Sequence, residues 1–246
     1  MTCDKIVLSH VAGVKHGKMP HLIPWSHDFV YEKLERIDAS SGRVYVLPND
    51  VHVPSVTTVL DRTKDKTALK EWALRVGQAE ADKQREQAAY VGTWMHGTLE
   101  SVLSGAPLAL GRDWMAMKGH QMAFTLANKY FGAISAVHGS EVGLYYQDRY
   151  AGTTDLVATY RGKLAIVDFK QSVKPKRYEY ITDYFHQLAA YAVAHDWRHG
   201  TAIDYAAVLI AVQDGSTQEF TAAGRDWDLF KSQWLDRLTA SEAAGR

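Results

Sequence analysis

GTTDLVATYRGKLAIVDFK, residues 152–170, holds two apolar runs separated by Arg161-Gly162. That dipeptide suits a two-residue hairpin loop, because Gly162 tolerates the positive φ such loops need. If Tyr160 faces Lys163, stepping back along both strands brings Asp155 directly opposite Asp168. Opposed residues have Cβ atoms roughly 4.5–5.5 Å apart, and like charges there are destabilising unless something neutralises them. A divalent cation would do so. Lys170 lies two residues beyond Asp168 and therefore on the same face of its strand. Mg²⁺ favours one or two carboxylates and leaves room for waters and phosphate oxygens. Such a site suits phosphodiester hydrolysis, with the lysine orienting the nucleophile or stabilising the transition state. The competing reading is a solvated surface hairpin, since acid-x-base triplets at strand ends are common. The apolar run Leu164–Val167 leading into Asp168 argues for a strand central enough to hold the acid at a pocket rim.

Outward from this hairpin the chain divides by period. Residues 1–53 are turn-rich, with one hairpin expected from Phe29–Ile37, a turn at Ala39-Ser40-Ser41-Gly42, and Arg43–Leu47. Pro54-Ser55-Val56-Thr57 reads as a helix start capped by Ser55 or Thr57. Strong helix formers continue to about Ser104, with Gly77 and Gly92 as expected breaks, and a further helix is expected from Trp114 to His138. Strands follow at Val142–Gln147, Ala151–Tyr160 and Leu164–Phe169, then a helix at Tyr178–Trp197. Strands at Tyr205–Val212 and Thr217–Thr221 precede a closing helix at Trp227–Ala240. The expected fold class is α/β, mixed α+β: one domain over 1–246, comprising an N-terminal extension (1–53), a helical region (54–138) and a sheet with helices (139–246).

Composition excludes several classes. Lys and Arg number 28 and so do Asp and Glu, so any nucleic-acid binding must come from a local basic groove rather than from global charge. Cys3, alone of its kind, excludes an internal disulfide and Cys-based zinc or iron–sulfur centres, and fits a reducing compartment. The longest apolar stretch, Tyr205–Val212, is too short to span a bilayer. The start shows no signal-peptide pattern, and no P-loop pattern offers ATP-driven work.

Taken together, Gly152-x-x-Asp155, Asp168-Phe169-Lys170 and Gln187-x-x-x-Tyr191 resemble the RecB-type branch of the PD-(D/E)XK nucleases. PSVTTVL (54–60), LKEWALRVG (69–77), GTWMHGTLE (92–100), YAGTTDLVA (150–158) and the run from Asp168 to Lys176 are similar to the mitochondrial genome maintenance exonuclease group and its phage relatives. The likeness covers roughly 54–240. It implies a mixed central sheet flanked by helices, with the N-terminal helical region forming an arch over the site. It also implies a Mg²⁺- or Mn²⁺-dependent exonuclease acting on single-stranded DNA from free ends, in replication, recombination or repair, with flaps and duplex ends as further substrates.

Carried over residue by residue, His96, Asp155 and Asp168 are the metal ligands, joined by the Phe169 backbone carbonyl. Lys170 is the catalytic lysine, and Gln187 and Tyr191 support the site or touch the substrate backbone. Glu141 matches an upstream glutamate, and Thr154 departs from the arginine of many RecB-type relatives. Without the likeness, His96 reads as a helix histidine paired with Glu100 at i+4, and Gln187 and Tyr191 as the polar edge of a packed helix. Cations and aromatics for a single strand are sought in Arg75, Trp94, Lys174, Lys176, Arg177 and Tyr178. A monomer in the cytoplasm of a bacterial or phage-infected cell is expected, with no membrane and no ATP. The alternatives are a structure-specific PD-(D/E)XK endonuclease and a catalytically silent DNA-binding module on the same fold.

Overall fold

The computed structural model describes residues 23–40 and 42–244; Cys3, the chain's opening residues and Ser41 of the expected turn lie outside them. A five-stranded sheet has the order β4-β5-β6-β7-β8. Its strands are β4 (Ile134–Tyr146), β5 (Tyr150–Tyr160), β6 (Lys163–Ser172), β7 (Tyr205–Val212) and β8 (Thr217–Ala223). All neighbours are antiparallel except β6 and β7, which run parallel. The parallel pair needs a crossover, supplied by α5 (Thr182–His199). With helices on both faces, β7 reads as the unbroken apolar run YAAVLIAV rather than an alternating one.

Alternation along the strands builds two cores. Val157, Ile166, Val208 and Ile210 face α1 (Val56–Thr63), α5 and α6 (Gly224–Ala244). Leu156, Val167, Phe169 and Leu209 face α3 (Gln78–Ser104) and α4 (Trp114–Tyr130). α1 starts where Ser55 accepts the Thr58 N–H, and α4 where Asp113 accepts those of Met115 and Ala116. A second sheet of β1 (Glu35–Ala39), β2 (Gly42–Val46) and β3 (His52–Pro54) packs Tyr45 and Val53 against Ala151. Among the described residues, no helix is long and apolar enough to cross a membrane.

Several boundaries differ from expectation. Gly77 does separate α2 (Thr67–Val76) from α3, but Gly92 lies inside α3, whose buried side packs on α4. Packing there outweighs the roughly 1 kcal/mol cost of a mid-helix glycine. α4 stops at Tyr130 and a 3-10 turn over Phe131–Ala133 leads into β4, so His138 is a strand residue. Register shifts between Ile134 and Ala136 and between Val137 and Gly139 break the period of two, leaving Ile134 and Val137 at a helix-like spacing. The first strand begins at Glu35 rather than Phe29, β3 was not foreseen, and Tyr178–Tyr180 form a 3-10 turn ahead of α5.

Arg237 of α6 joins three helices. It donates to the Asp183 carboxylate at 2.6 Å, to Thr63 Oγ1 at 2.9 Å and to the Leu60 carbonyl at 3.0 Å. Its side chain is 18% exposed, so Arg237→Ala strands buried acceptors. The expected loss is about 2–4 kcal/mol in denaturant unfolding near pH 7. Hydrogen bonding from His186, then from Lys64 and Arg237, holds Asp183 well below the usual carboxylate range. Stability from a depressed carboxylate is whole above its unfolded value of about 3.9 and is lost as pH falls toward the folded one, so the gap between variant and wild type should narrow in acid.

Candidate active site

Arg161 and Gly162 both take positive φ, 50° and 77°, as a type I′ loop requires. The ladder therefore runs from Tyr160↔Lys163 to Leu156↔Val167. At the next step the backbone pairing gives way to a side chain: Asp155 Oδ2 accepts the Phe169 N–H at 2.7 Å. The two aspartates meet at this corner, close enough that Asp155 raises the pKa of Asp168.

Asp168 is 1% exposed. Lys170 Nζ lies 2.7 Å from its Oδ1 and 2.6 Å from its Oδ2, and also stands over the Tyr184 ring at 5.2 Å. Oδ2 nevertheless has no hydrogen bond of sound geometry. Burial pushes Asp168 up, against the pull of Lys170 and with the push of Asp155. Burial likewise opposes the Lys170 charge, but the two carboxylates outweigh it and hold the ammonium above its ordinary value.

The other side of β5 supplies a third carboxylate. Ser140↔Leu156 and Val142↔Thr154 place Glu141 across from Asp155, on a backbone with φ 51°. Glu141 is pushed up to about 8, first by burial and then by the charges of Asp155, Glu100 and Asp168. From α3, His96 Nδ1 comes within 3.5 Å of Asp155 Oδ2 and 3.9 Å of Glu141 Oε1. One ligand atom from each of His96, Glu141 and Asp155 falls within 4.8 Å of the others. His96 thus turns to these two carboxylates rather than to Glu100, its i+4 neighbour.

His96, Glu141 and Asp155 open onto a cleft of about 670 Å³, with the buried Asp168 and its partner Lys170 behind its lining. One wall is α3, through Gly92, Thr93, His96, Gly97 and Glu100; another is α5, through Gln187 and Tyr191. Gln187 Nε2 donates to the Tyr191 hydroxyl at 3.2 Å. The Tyr191 ring explains the glycine of Gly152-x-x-Asp155, because a Cβ at 152 would lie 2.8 Å from Tyr191 Cε1 and 3.3 Å from Val56 Cγ2. Tyr191 is 3% exposed and cannot swing away. Gly152→Ala is therefore expected to cost about 1–3 kcal/mol, read as a drop in melting temperature. It should also displace the Gln187–Tyr191 pair, lowering turnover at temperatures where the variant stays folded.

Other expected residues lie elsewhere. Trp94 sits half-buried in the α3–α4 seam, T-shaped to His120 with ring centroids 5.2 Å apart and beside Gly119. Arg75 is on the last turn of α2, which buries none of its residues. Lys174, Lys176, Arg177 and Tyr178 follow β6 and, like Asp168 and Lys170, are not in the cleft lining. The Lys176 backbone is tied to Gln218, and Tyr178 packs beside Phe185 and Phe220. Thr154, where many RecB-type relatives carry arginine, is fully buried. Two lining residues went unread in the sequence: Arg36 and Arg43, of the β1–β2 hairpin. Their distance along the chain from Asp155 left no local signal.

No family model matches the chain. It is 30% identical over 192 residues to the mouse mitochondrial genome maintenance exonuclease 1, covering 73% of this chain and 55% of the relative. To the human protein of that name it is 30% identical over 206 residues, covering 78% and 59%. To the Xenopus tropicalis protein it is 39% identical over 110 residues, covering 42% and 29%. The chain thus spans little more than half the length of the mouse and human relatives. On this likeness the chain is a homologue of the mitochondrial genome maintenance exonucleases, with a central mixed sheet between helical layers.

Proposed function

We propose that the chain is a metal-dependent nuclease that removes nucleotides from the free ends of single-stranded DNA. The observation that carries this reading is the gathering of His96, Glu141 and Asp155 at the cleft, with the Asp168–Lys170 pair beside them. The carboxylates are hard donors suited to Mg²⁺ or Mn²⁺, and the imidazole beside them is a borderline donor that favours Mn²⁺ of the two. Glu141 and Asp155 crowd together closely enough for the Asp155 charge to add to the burial that raises Glu141, a repulsion that a cation between them would relieve. The site therefore fits the ion that the resemblance implies. When bound, Mg²⁺ or Mn²⁺ supplies a water of lowered pKa and offsets negative charge on the phosphoryl oxygens.

His96, Glu141, Asp155 and Asp168, with the Phe169 carbonyl, would hold the ion. The Phe169 N–H bond fixes the rotamer of Asp155, so one ligand is oriented before any cation arrives. Lys170 keeps its protons and offers them to the attacking water or to a phosphoryl oxygen as charge builds there. Gln187 and Tyr191 line the wall against which the strand backbone rests. The cleft volume is in the range of small-ligand pockets, roughly 300–1,000 Å³, so it takes a short stretch of strand at a time. Names of the relatives favour action from ends. With Mg²⁺ or Mn²⁺, end-labelled linear single strands should be degraded while covalently closed single-stranded circles persist. Equal cleavage of circles would replace the exonuclease reading with an endonuclease, and no cleavage of either would sink the nuclease reading.

A further inference from the structure

The acids of the cleft repel a polyanion, so a strand can reach them only with cations along its path. Among the described residues lining the cleft, Arg36 and Arg43 are the permanently cationic side chains. They stand on paired strands, with Arg36 opposite Tyr45 and Arg43 opposite Asp38. Asp38 holds both, at 3.1 Å from Arg36 and 2.9 Å from Arg43. Two guanidinium groups share one carboxylate, which leaves this rim positive. The side chains are 51% and 39% exposed, so their remaining donors are open to a ligand. The backbone of Arg43 is anchored: its carbonyl accepts the Ser55 N–H and the Thr58 hydroxyl, each at 2.9 Å. A guanidinium presents a planar fork of donors that matches a phosphate better than an ammonium does.

The facing wall is consistent with a strand passing between. Gly92 and Gly97 of α3 have no positive φ, and a Cβ on either would meet nothing within 4 Å. Neither close packing nor backbone conformation calls for glycine there, although each weakens a helix interior by roughly 0.5–1 kcal/mol relative to alanine. What the missing side chains leave is room in the cleft.

Resting on the nuclease reading above, we propose that Arg36 and Arg43 hold the phosphates of the incoming strand, opposite the glycine-bearing face of α3, and lead it to His96, Glu141 and Asp155. The role expected of Lys174, Lys176 and Arg177 passes to a hairpin more than a hundred residues earlier in the chain. The test is fluorescence anisotropy of a labelled oligothymidylate, without divalent cation, across a salt series. The Arg36→Ala/Arg43→Ala double variant should bind at least tenfold more weakly. Its plot of log affinity against log salt should be shallower by about 1.4, at ~0.7 per phosphate contact on a single strand.

Asp38→Ala separates charge from damage to the hairpin. It frees both guanidinium groups and should bind as tightly as wild type or more so; a loss equal to that of the double variant would overturn the proposal. So would unchanged affinity and slope in the double variant, or a loss confined to Lys174→Ala/Lys176→Ala/Arg177→Ala. If wild type binds and cleaves but the double variant matches it, only the hairpin assignment falls. If wild type neither binds nor cleaves any strand, the nuclease reading falls as well.

Discussion

Lys170→Ala is expected to lower strand cleavage by roughly 10²–10⁴-fold while changing strand affinity by no more than about twofold. The reason lies in what the ammonium touches. Nζ is bound to the Asp168 carboxylate and stands over Tyr184, so it has little part in gripping a distant phosphate. Its charge matters when the phosphoryl group gains negative charge, and that loss appears in turnover rather than in binding. Folding should survive, because Asp168, already pushed up by burial, can take a proton once its partner is gone. Lys170→Met, which keeps the buried stem, should fail catalytically to the same degree. Unimpaired cleavage by either variant would remove Lys170 from the chemistry, while an equal loss of affinity would make it a binding residue.

Asp155→Asn should be as damaging through a different route. Asparagine keeps the shape and, through Oδ1, the bond from the Phe169 N–H, but it cannot supply the anionic ligand on which a cation site shared with His96 and Glu141 depends. For wild type, Mn²⁺ at about 100 times its Kd should add about 2.7 kcal/mol to folding stability, seen as a rise in melting temperature. The variant should show little of that rise and at least a hundredfold slower cleavage. Without metal it should melt no lower than wild type, because Glu141 and Asp168 lose a repelling neighbour. An undiminished metal-induced rise in Asp155→Asn would show that the ion binds elsewhere.

What could be read from the sequence follows from how local each rule is. The Arg161-Gly162 loop sets the register of β5 on β6 by turn chemistry alone, so the meeting of Asp155 and Asp168 was legible from nineteen consecutive residues. Glu141 obeys the same arithmetic on the other side of β5, with Tyr146 opposite Tyr150 as its anchor. That loop, Gln147–Arg149, lacks glycine and relies on Gln147 at φ 49°, so it gave no comparable signal. The bulges in β4 hid the strand further by mimicking a helical spacing.

Residues brought in by tertiary packing were less accessible. His96 reaches Asp155 only because α3 lies along the open side of the β5–β6 corner, which no spacing along the chain encodes. The basic cluster from Lys174 to Arg177 was favoured because it follows Lys170 in sequence. After Ser172 the segment is fastened to β8, where Gln218 holds the Lys176 backbone. Gly92 misled by the opposite route, as intrinsic propensity suggested a break that the α3–α4 contact overrides.

The most direct measurement is an anomalous-difference map from crystals grown with Mn²⁺. A peak is expected bonded to His96, Glu141 and Asp155, with Asp168 and the Phe169 carbonyl as the further protein ligands, at metal–ligand distances of roughly 2.0–2.3 Å. A map with no peak there at millimolar Mn²⁺, or with the ion held by a different set of residues, would contradict that assignment.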